Sequence, residues 1–258
     1  MNKNITKLGD KVLQKMSAVI VSDKKLTDMY FNKWNINGND IVNQLSSVNL
    51  HGGTYSKNMS LKNIKFDFGS SILNIGPETG YEVFLLAELF ANVHVCDPDE
   101  DNLALLKRIS KKYYTEVGTR ASDKTTFLPY GINNKQTITG EKRIFKSLES
   151  IGLKGLPTFY NLTSKKEVGK IIGKFDVIFI HKILTTITRS ATIPADIVFL
   201  TAIKTLKTLL KDGGQIFWTE PEAIWSQNNI DVNLFTKTVF KYKLRKLNES
   251  YVQIAILC

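Results

Sequence analysis

The sequence predicts an α/β protein: a doubly wound, mostly parallel sheet with a C-terminal antiparallel strand, preceded by a helical N-terminal extension. Three observations carry that prediction. From Ser70 onward, short apolar runs alternate with segments of helical spacing, as a parallel sheet with crossover helices requires. FDVIFIH at 175–181 is apolar almost throughout, the mark of a strand buried on both faces. The chain closes with FKYKLRKL and YVQIAILC, parted only by Asn248, Glu249 and Ser250, a separation that allows only an antiparallel pair.

Taken in order, VLQKMSAVIV (12–21) and the stretch from Leu26 to Trp34 space their apolar residues by three and four, which predicts two helices. The NINGND turn around Gly38 separates them from IVNQLSSVNL. Gly52, Gly53 and the polar run SKNMSLKN read as a linker, so residues 1–66 form the extension and 67–258 the α/β domain. SILNIG (71–76) is the first strand, EVFLLAELF (82–90) the helix after it, NVHVCD (92–97) the second strand and NLALLKRISKKYY (102–114) its helix. Both TTFLPYG (125–131) and PTFYNLT (157–163) qualify as the third strand. The second is preferred, because SKKEVGKIIGK then supplies a short helix leading into FDVIFIH; residues 115–156 become a basic, turn-rich insertion. ADIVFLTAIKTLKTLL (195–210) is a helix stopped by KDGG, and QIFWTE (215–220) is the next strand.

Charge is distributed unevenly. The 258 residues hold 35 basic and 24 acidic side chains, a formal net charge of +11. Residues 67–106 carry eight acidic and no basic side chains, whereas 107–174 carry fifteen basic against five acidic. Basic segments thus flank an acidic one, a distribution that favours RNA or another polyanion as partner. Two cysteines, Cys96 and Cys258, make no disulfide framework. No apolar run reaches the roughly 18–20 residues of a membrane span, and the N-terminus has no secretory apolar core. These features lead us to expect a reducing, cytoplasmic setting. No Cys/His cluster has metal-binding spacing, so no metal site is expected.

The chemistry concentrates in the loop Asn74-Ile75-Gly76-Pro77-Glu78-Thr79-Gly80-Tyr81, between a strand and a helix. Glycine there permits positive φ and close backbone approach, and the helix start offers free N–H groups. Asp97 ends the next strand, 21 positions after Gly76. An acid so placed hydrogen-bonds a ribose hydroxyl of an adenosine cofactor. A nicotinamide fingerprint would need glycine at Glu78 and Tyr81, and neither is present.

Across roughly 70–258 the chain resembles the class I methyltransferases. Their first motif, an acid followed by x-Gly-x-Gly-x-Gly, corresponds to Asn74, Gly76, Glu78 and Gly80 here. Their second-strand acid corresponds to Asp97, their fourth strand to Phe175-Asp176-Val177-Ile178, and their Leu-Lys-x-Gly-Gly turn to Leu210-Lys211-Asp212-Gly213-Gly214. Two departures stand out: Glu78 replaces the middle glycine, and Asn74 replaces the leading acid.

The resemblance implies S-adenosyl-L-methionine as cofactor, with Asn74, Gly76, Pro77, Glu78, Gly80, Tyr81, Asp97, Asn161 and His181 as its contacts. Glu78 would narrow the site or set a carboxylate near the cofactor's cation. Valine at Gly76 or Gly80 is expected to abolish binding with less effect on folding. His181 and Glu220, ending the FDVIFIH and QIFWTE strands, are the candidate catalytic groups on the rim where such sheets place ligands.

Absent motifs narrow the reaction. The chain has no Asp/Asn-Pro-Pro-Tyr/Phe and no Pro-Cys, and His181 stands where ribose 2′-O enzymes place the aspartate of their Lys-Asp-Lys-Glu tetrad. The expected function is therefore a methyltransferase acting on RNA, of the cap guanine-N7 type rather than the ribose 2′-O type, or on a small molecule. The alternative, favoured by Asn74 and Glu78, is a noncatalytic methyltransferase-like domain that binds nucleic acid or a partner enzyme.

Overall fold

A computed structural model describes residues 5–46, 57–58, 61, 67–90, 92–97, 99–115, 125–127, 173–185, 194–228, 230, 241–247 and 251–257. The first helices are α1 (Ile5–Val21), α2 (Lys24–Trp34) and α3 (Ile41–Ser46). The α/β part follows as β1 (Ser71–Ile75), α4 (Tyr81–Leu89), β2 (Asn92–Cys96), α5 (Glu100–Thr115), β3 (Thr125–Phe127) and β4 (Phe175–His181). It continues through α6 (Ala195–Lys207), β5 (Leu210–Pro221), α7 (Glu222–Gln227), β6 (Lys241–Lys246) and β7 (Tyr251–Leu257).

These strands form one sheet in the order β3-β2-β1-β4-β5-β7-β6. Pairing is parallel from β3 through β5, and β7 runs antiparallel to both β5 and β6. The doubly wound sheet with its antiparallel ending is the fold class the sequence predicts. Strand order reverses between β1 and β4, the switch point beyond whose carboxyl ends such sheets bind ligands.

The third strand corrects the sequence reading. Thr125–Phe127 pairs in parallel with β2, Val93 facing Thr125 and Val95 facing Phe127. The preferred candidate, 157–163, lies outside the described residues. Two β-branched residues and a phenylalanine suit the outer position beside β2 without the crossover logic that favoured the later segment. The strand therefore falls inside the stretch read as an insertion.

Alternation of side chains along the strands builds two cores. Ile72, Val93, Val95, Val177, Phe179, Phe217 and Ala255 face α1–α5, while Leu73, Ile75, Ile178, Ile180, Ile216, Trp218 and Ile254 face α6 and α7. Helix α4, YEVFLLAEL, is buried over nearly its whole circumference, which explains its lack of a polar face. Helix α1 covers it: Val12, Leu13, Met16 and Ile20 join Tyr81, Phe84 and Leu85 in the same core. Asp23 fixes this layer by capping α2 through the N–H groups of Lys25 and Leu26, and by pairing with Arg108 (3.1 Å) and Lys112 (2.9 Å) of α5. The polar run read as a linker also reaches the interior: Lys57, Asn58 and Leu61 are all buried.

Candidate functional site

After β1 the chain turns through Gly76, Glu78 and Gly80, with φ of 66°, 46° and 87°. Glycine is favoured at such angles, so Glu78 keeps the glycine-type backbone while carrying a side chain there. The Gly76 N–H donates to Cys96 O (2.9 Å), extending the β1–β2 ladder into the loop. Tyr30 of α2 donates its hydroxyl to Thr79 O (3.1 Å), and the Tyr81 hydroxyl bonds Asn58 Oδ1 (2.5 Å). The N-terminal layer therefore grips the loop from behind at two points.

The loop glycines are crowded by the protein itself. A Cβ on Gly76 would lie 2.7 Å from Ile183 Cγ2, in the segment after β4. At Gly80 it would collide with Leu106, a fully buried residue of α5. The expectation that valine here spares folding is thus corrected for Gly80, where the clash is with the core.

Asp97 follows β2 and is buried. Its Oδ1 accepts from the Asp99 N–H (2.9 Å) and its Oδ2 from Asn102 Nδ2 (2.8 Å). The same Asn102 nitrogen donates to Glu78 O (2.9 Å), tying the acid to the loop. Burial pushes the Asp97 carboxyl up to about 7, against the pull of the Asn102 hydrogen bond. Asp99 caps the start of α5 through the Asn102 N–H and forms an ion pair with Lys33 of α2.

Beneath the loop lies a buried charged cluster. Asn74, fully buried on β1, donates to Glu82 Oε1 (3.0 Å) and to Phe179 O (3.4 Å). Glu82, equally buried in the first turn of α4, pairs with Lys57 at 2.9 Å, and Glu78 reaches the same ammonium at 3.7 Å. Burial opposes the Lys57 charge, but Glu82 and Glu78 outweigh it and hold its pKa above the ordinary value. For Glu78, burial pushes the carboxyl up while Lys57 opposes the shift. An acid at position 74 would face a second buried carboxylate; asparagine there is the partner Glu82 requires.

His181 ends β4, buried and stacked on Tyr251 with ring centroids 6.1 Å apart. Burial, and then the charges of Lys57 and Lys182, hold its pKa well below the usual histidine value, so it is neutral at neutral pH. Glu220 ends β5 as a buried acceptor, not an exposed acid: its Oε1 takes hydrogen bonds from Leu184 N (2.8 Å) and Trp218 Nε1 (2.9 Å). It anchors the segment after β4 to β5. Lys182 has a positive φ of 57° and lies over the Tyr251 ring at 5.5 Å, half-buried on the rim.

Asn74, Gly76, Pro77, Glu78, Gly80, Asp97 and His181 thus gather at the carboxyl ends of β1, β2 and β4. Tyr81 turns its hydroxyl to Asn58, and Asn161 lies outside the described residues. Among the described residues, no group of acids, histidines and cysteines is arranged to hold a metal ion.

No protein-family model and no curated protein matches the chain. Solved structures similar to it include a SAM-dependent methyltransferase from Aquifex aeolicus, at 10% identity and TM-score 0.44, covering 78% of this chain and 88% of that one. Another is the N-methyltransferase NodS from Bradyrhizobium japonicum in complex with S-adenosyl-L-homocysteine, at 11% identity and TM-score 0.44, with 79% and 85% covered. The cyclase SpnF is similar at 11% identity and TM-score 0.46, with 78% and 79% covered. Likeness this distant assigns no activity.

Lys57, Asn58, Tyr30 and Asn102 belong to the site, and sequence reasoning missed them. For Asn102 a signal existed: an Asx residue in the helix start five positions after Asp97. Lys57 offered only Leu61 one helical turn later.

Proposed function

We propose that this chain is an S-adenosylmethionine-dependent methyltransferase whose cofactor lies across the carboxyl ends of β1 and β2. The observation that supports it best is the chain Asp97–Asn102–Glu78, which couples a buried carboxylate after β2 to the glycine loop after β1. The residues fit such a ligand: Asn74 Oδ1 and Asn102 Oδ1 are buried acceptors without a hydrogen-bond donor, and the cofactor carries hydroxyl and ammonium donors. When bound, it supplies a methyl group activated on a sulfonium. Asp97 holds the ribose hydroxyls and the loop from Gly76 to Gly80 borders the methionine part, whereas Asn161 lies outside the described residues. His181, held neutral at the end of β4, would contact the cofactor or the acceptor, and Glu220 keeps the adjoining segment in place.

RNA is the favoured acceptor, at guanine N7 of a cap before a ribose 2′-O position, with a small molecule as its rival. Exposed Lys11, Lys24 and Lys25 support a polyanion surface, whereas Lys15 and Lys33 are drawn into contacts with Glu88 and Asp99. Lys142, Arg143 and Lys146 lie outside the described residues. A cytoplasmic protein would suit this reading, and no described helix is long and apolar enough to cross a membrane. A second reading, a noncatalytic nucleic-acid or partner-binding domain, is favoured by Ile183 seated against Gly76.

Calorimetric titration with S-adenosylhomocysteine tests the proposal. The wild type should bind, and Asp97→Ala should lose about 1–3 kcal/mol, the cost of leaving a buried donor unpaired. Unchanged affinity in a folded Asp97→Ala protein would refute the assignment. Binding without methyl transfer to capped RNA or to small acceptors would favour the noncatalytic reading.

A further inference from the structure

The cluster beneath the loop holds more charge than loop geometry needs. Glu82, Glu78 and Lys57 form two pairs of unequal quality: 2.9 Å to Glu82 and 3.7 Å to Glu78, the latter beyond hydrogen-bond length. Glu78 Oε2 is itself buried and makes no hydrogen bond, although 30% of the side chain is exposed. The fully buried Asn74 amide donates to Glu82, and its own oxygen has no donor. The carboxyl groups of Glu82 and Glu78 share the single ammonium of Lys57, and Glu78 has the longer contact. Lys182 acts on Glu78 from the half-buried rim, a weaker influence than that of Lys57. His181, which feels the charge of Lys57, is neutral and adds no charge.

What Glu78 Oε2 lacks is a hydrogen-bond donor, and a cation that offers several N–H groups would supply one. A primary ammonium has three such donors and matches a carboxylate oxygen that has no other hydrogen bond. We propose that Glu78 is the receptor for the ammonium of an amino-acid-bearing ligand, and that Lys57 is an internal counterion which holds this carboxylate until the ligand replaces it. On exchange Lys57 keeps its shorter contact with Glu82, so no buried charge is left without a partner. Glutamate at a position of positive φ, where glycine would be less strained, gains a function from this role. The inference rests on reading the crevice as an adenosyl-cofactor site.

The test compares two ligands on the full chain by calorimetry. S-adenosylhomocysteine carries the amino-acid head; 5′-methylthioadenosine has the same adenosyl thioether without it. Wild type should bind both. Glu78→Gln should weaken S-adenosylhomocysteine by about tenfold to a hundredfold, the range for a hydrogen bond to a charged group, and leave methylthioadenosine unchanged. Glu78→Gly, which relieves the backbone while removing the carboxylate, should show the same selective loss. Equal weakening of both ligands by both variants, or no weakening of either, overturns the role of Glu78 while the cofactor site stands. Failure of wild type to bind either ligand overturns the cofactor site and this inference with it.

Discussion

Replacing Asn74 by aspartate sets a second acid beside Glu82, and in this chain it should be harmful. The Asn74 Nδ2 to Glu82 Oε1 hydrogen bond of 3.0 Å becomes a contact between two carboxylate oxygens, both on fully buried residues. At an effective dielectric of about 20, two charges so close repel by roughly 5 kcal/mol. The pair escapes by taking up a proton, which from an ordinary aspartate costs about 4 kcal/mol at pH 7. Lys57, 2.9 Å from Glu82, offsets part of that, and the net destabilisation should be about 2–4 kcal/mol. Because the variant's native state binds a proton that its unfolded state has released, the penalty shrinks as pH falls towards 4. Urea melts of wild type and Asn74→Asp at pH 7 and pH 5 measure both the size and the sign. Equal stability at pH 7, or a deficit that does not change with pH, would refute the buried Asn74–Glu82 contact.

Two other substitutions probe the frame around the loop. Gly80→Val places a β-branched residue at φ 87° and drives it into Leu106, so it should destabilise folding by about 2–5 kcal/mol, seen in the same melts. Glu220→Gln should flatten the pH dependence of stability. Burial raises the native Glu220 carboxyl from 4.5 to about 7, so its contribution is full below pH 4.5 and lost as pH rises through 7, a difference of about 3 kcal/mol. Glutamine keeps an oxygen for Leu184 and Trp218; a pH profile as steep as wild type would show that Glu220 is not the group titrating.

Most of the sheet was legible because each strand declares itself locally. FDVIFIH and QIFWTE are apolar runs bounded by polar turns, and they became β4 and the core of β5. The third strand was not legible, since TTF and the 157–163 run have similar β propensity and only pairing with β2 separates them. The ambiguity was one of partner, and a strand's partner is not written in its own residues.

The site divides along the same line. Gly76, Glu78, Gly80 and Asp97 were found because a strand end, a tight turn and the next strand end have fixed spacing in sequence. Lys57 had no such spacing. It lies 21 positions before Glu78 and 25 before Glu82, in a run whose polarity argued for solvent. A lysine is buried only where carboxylates have already been buried, so its place depends on the fold of residues after it. Asn74 shows the converse. Read alone it looked like the loss of an acid, whereas beside Glu82 it is the donor that lets a buried carboxylate stand in the first turn of α4. Lys57, from the N-terminal layer, pairs with that carboxylate and holds it in place. That layer therefore supports the loop, and truncating it should lower stability in urea melts and, with the proposed cofactor, weaken S-adenosylhomocysteine binding in calorimetry.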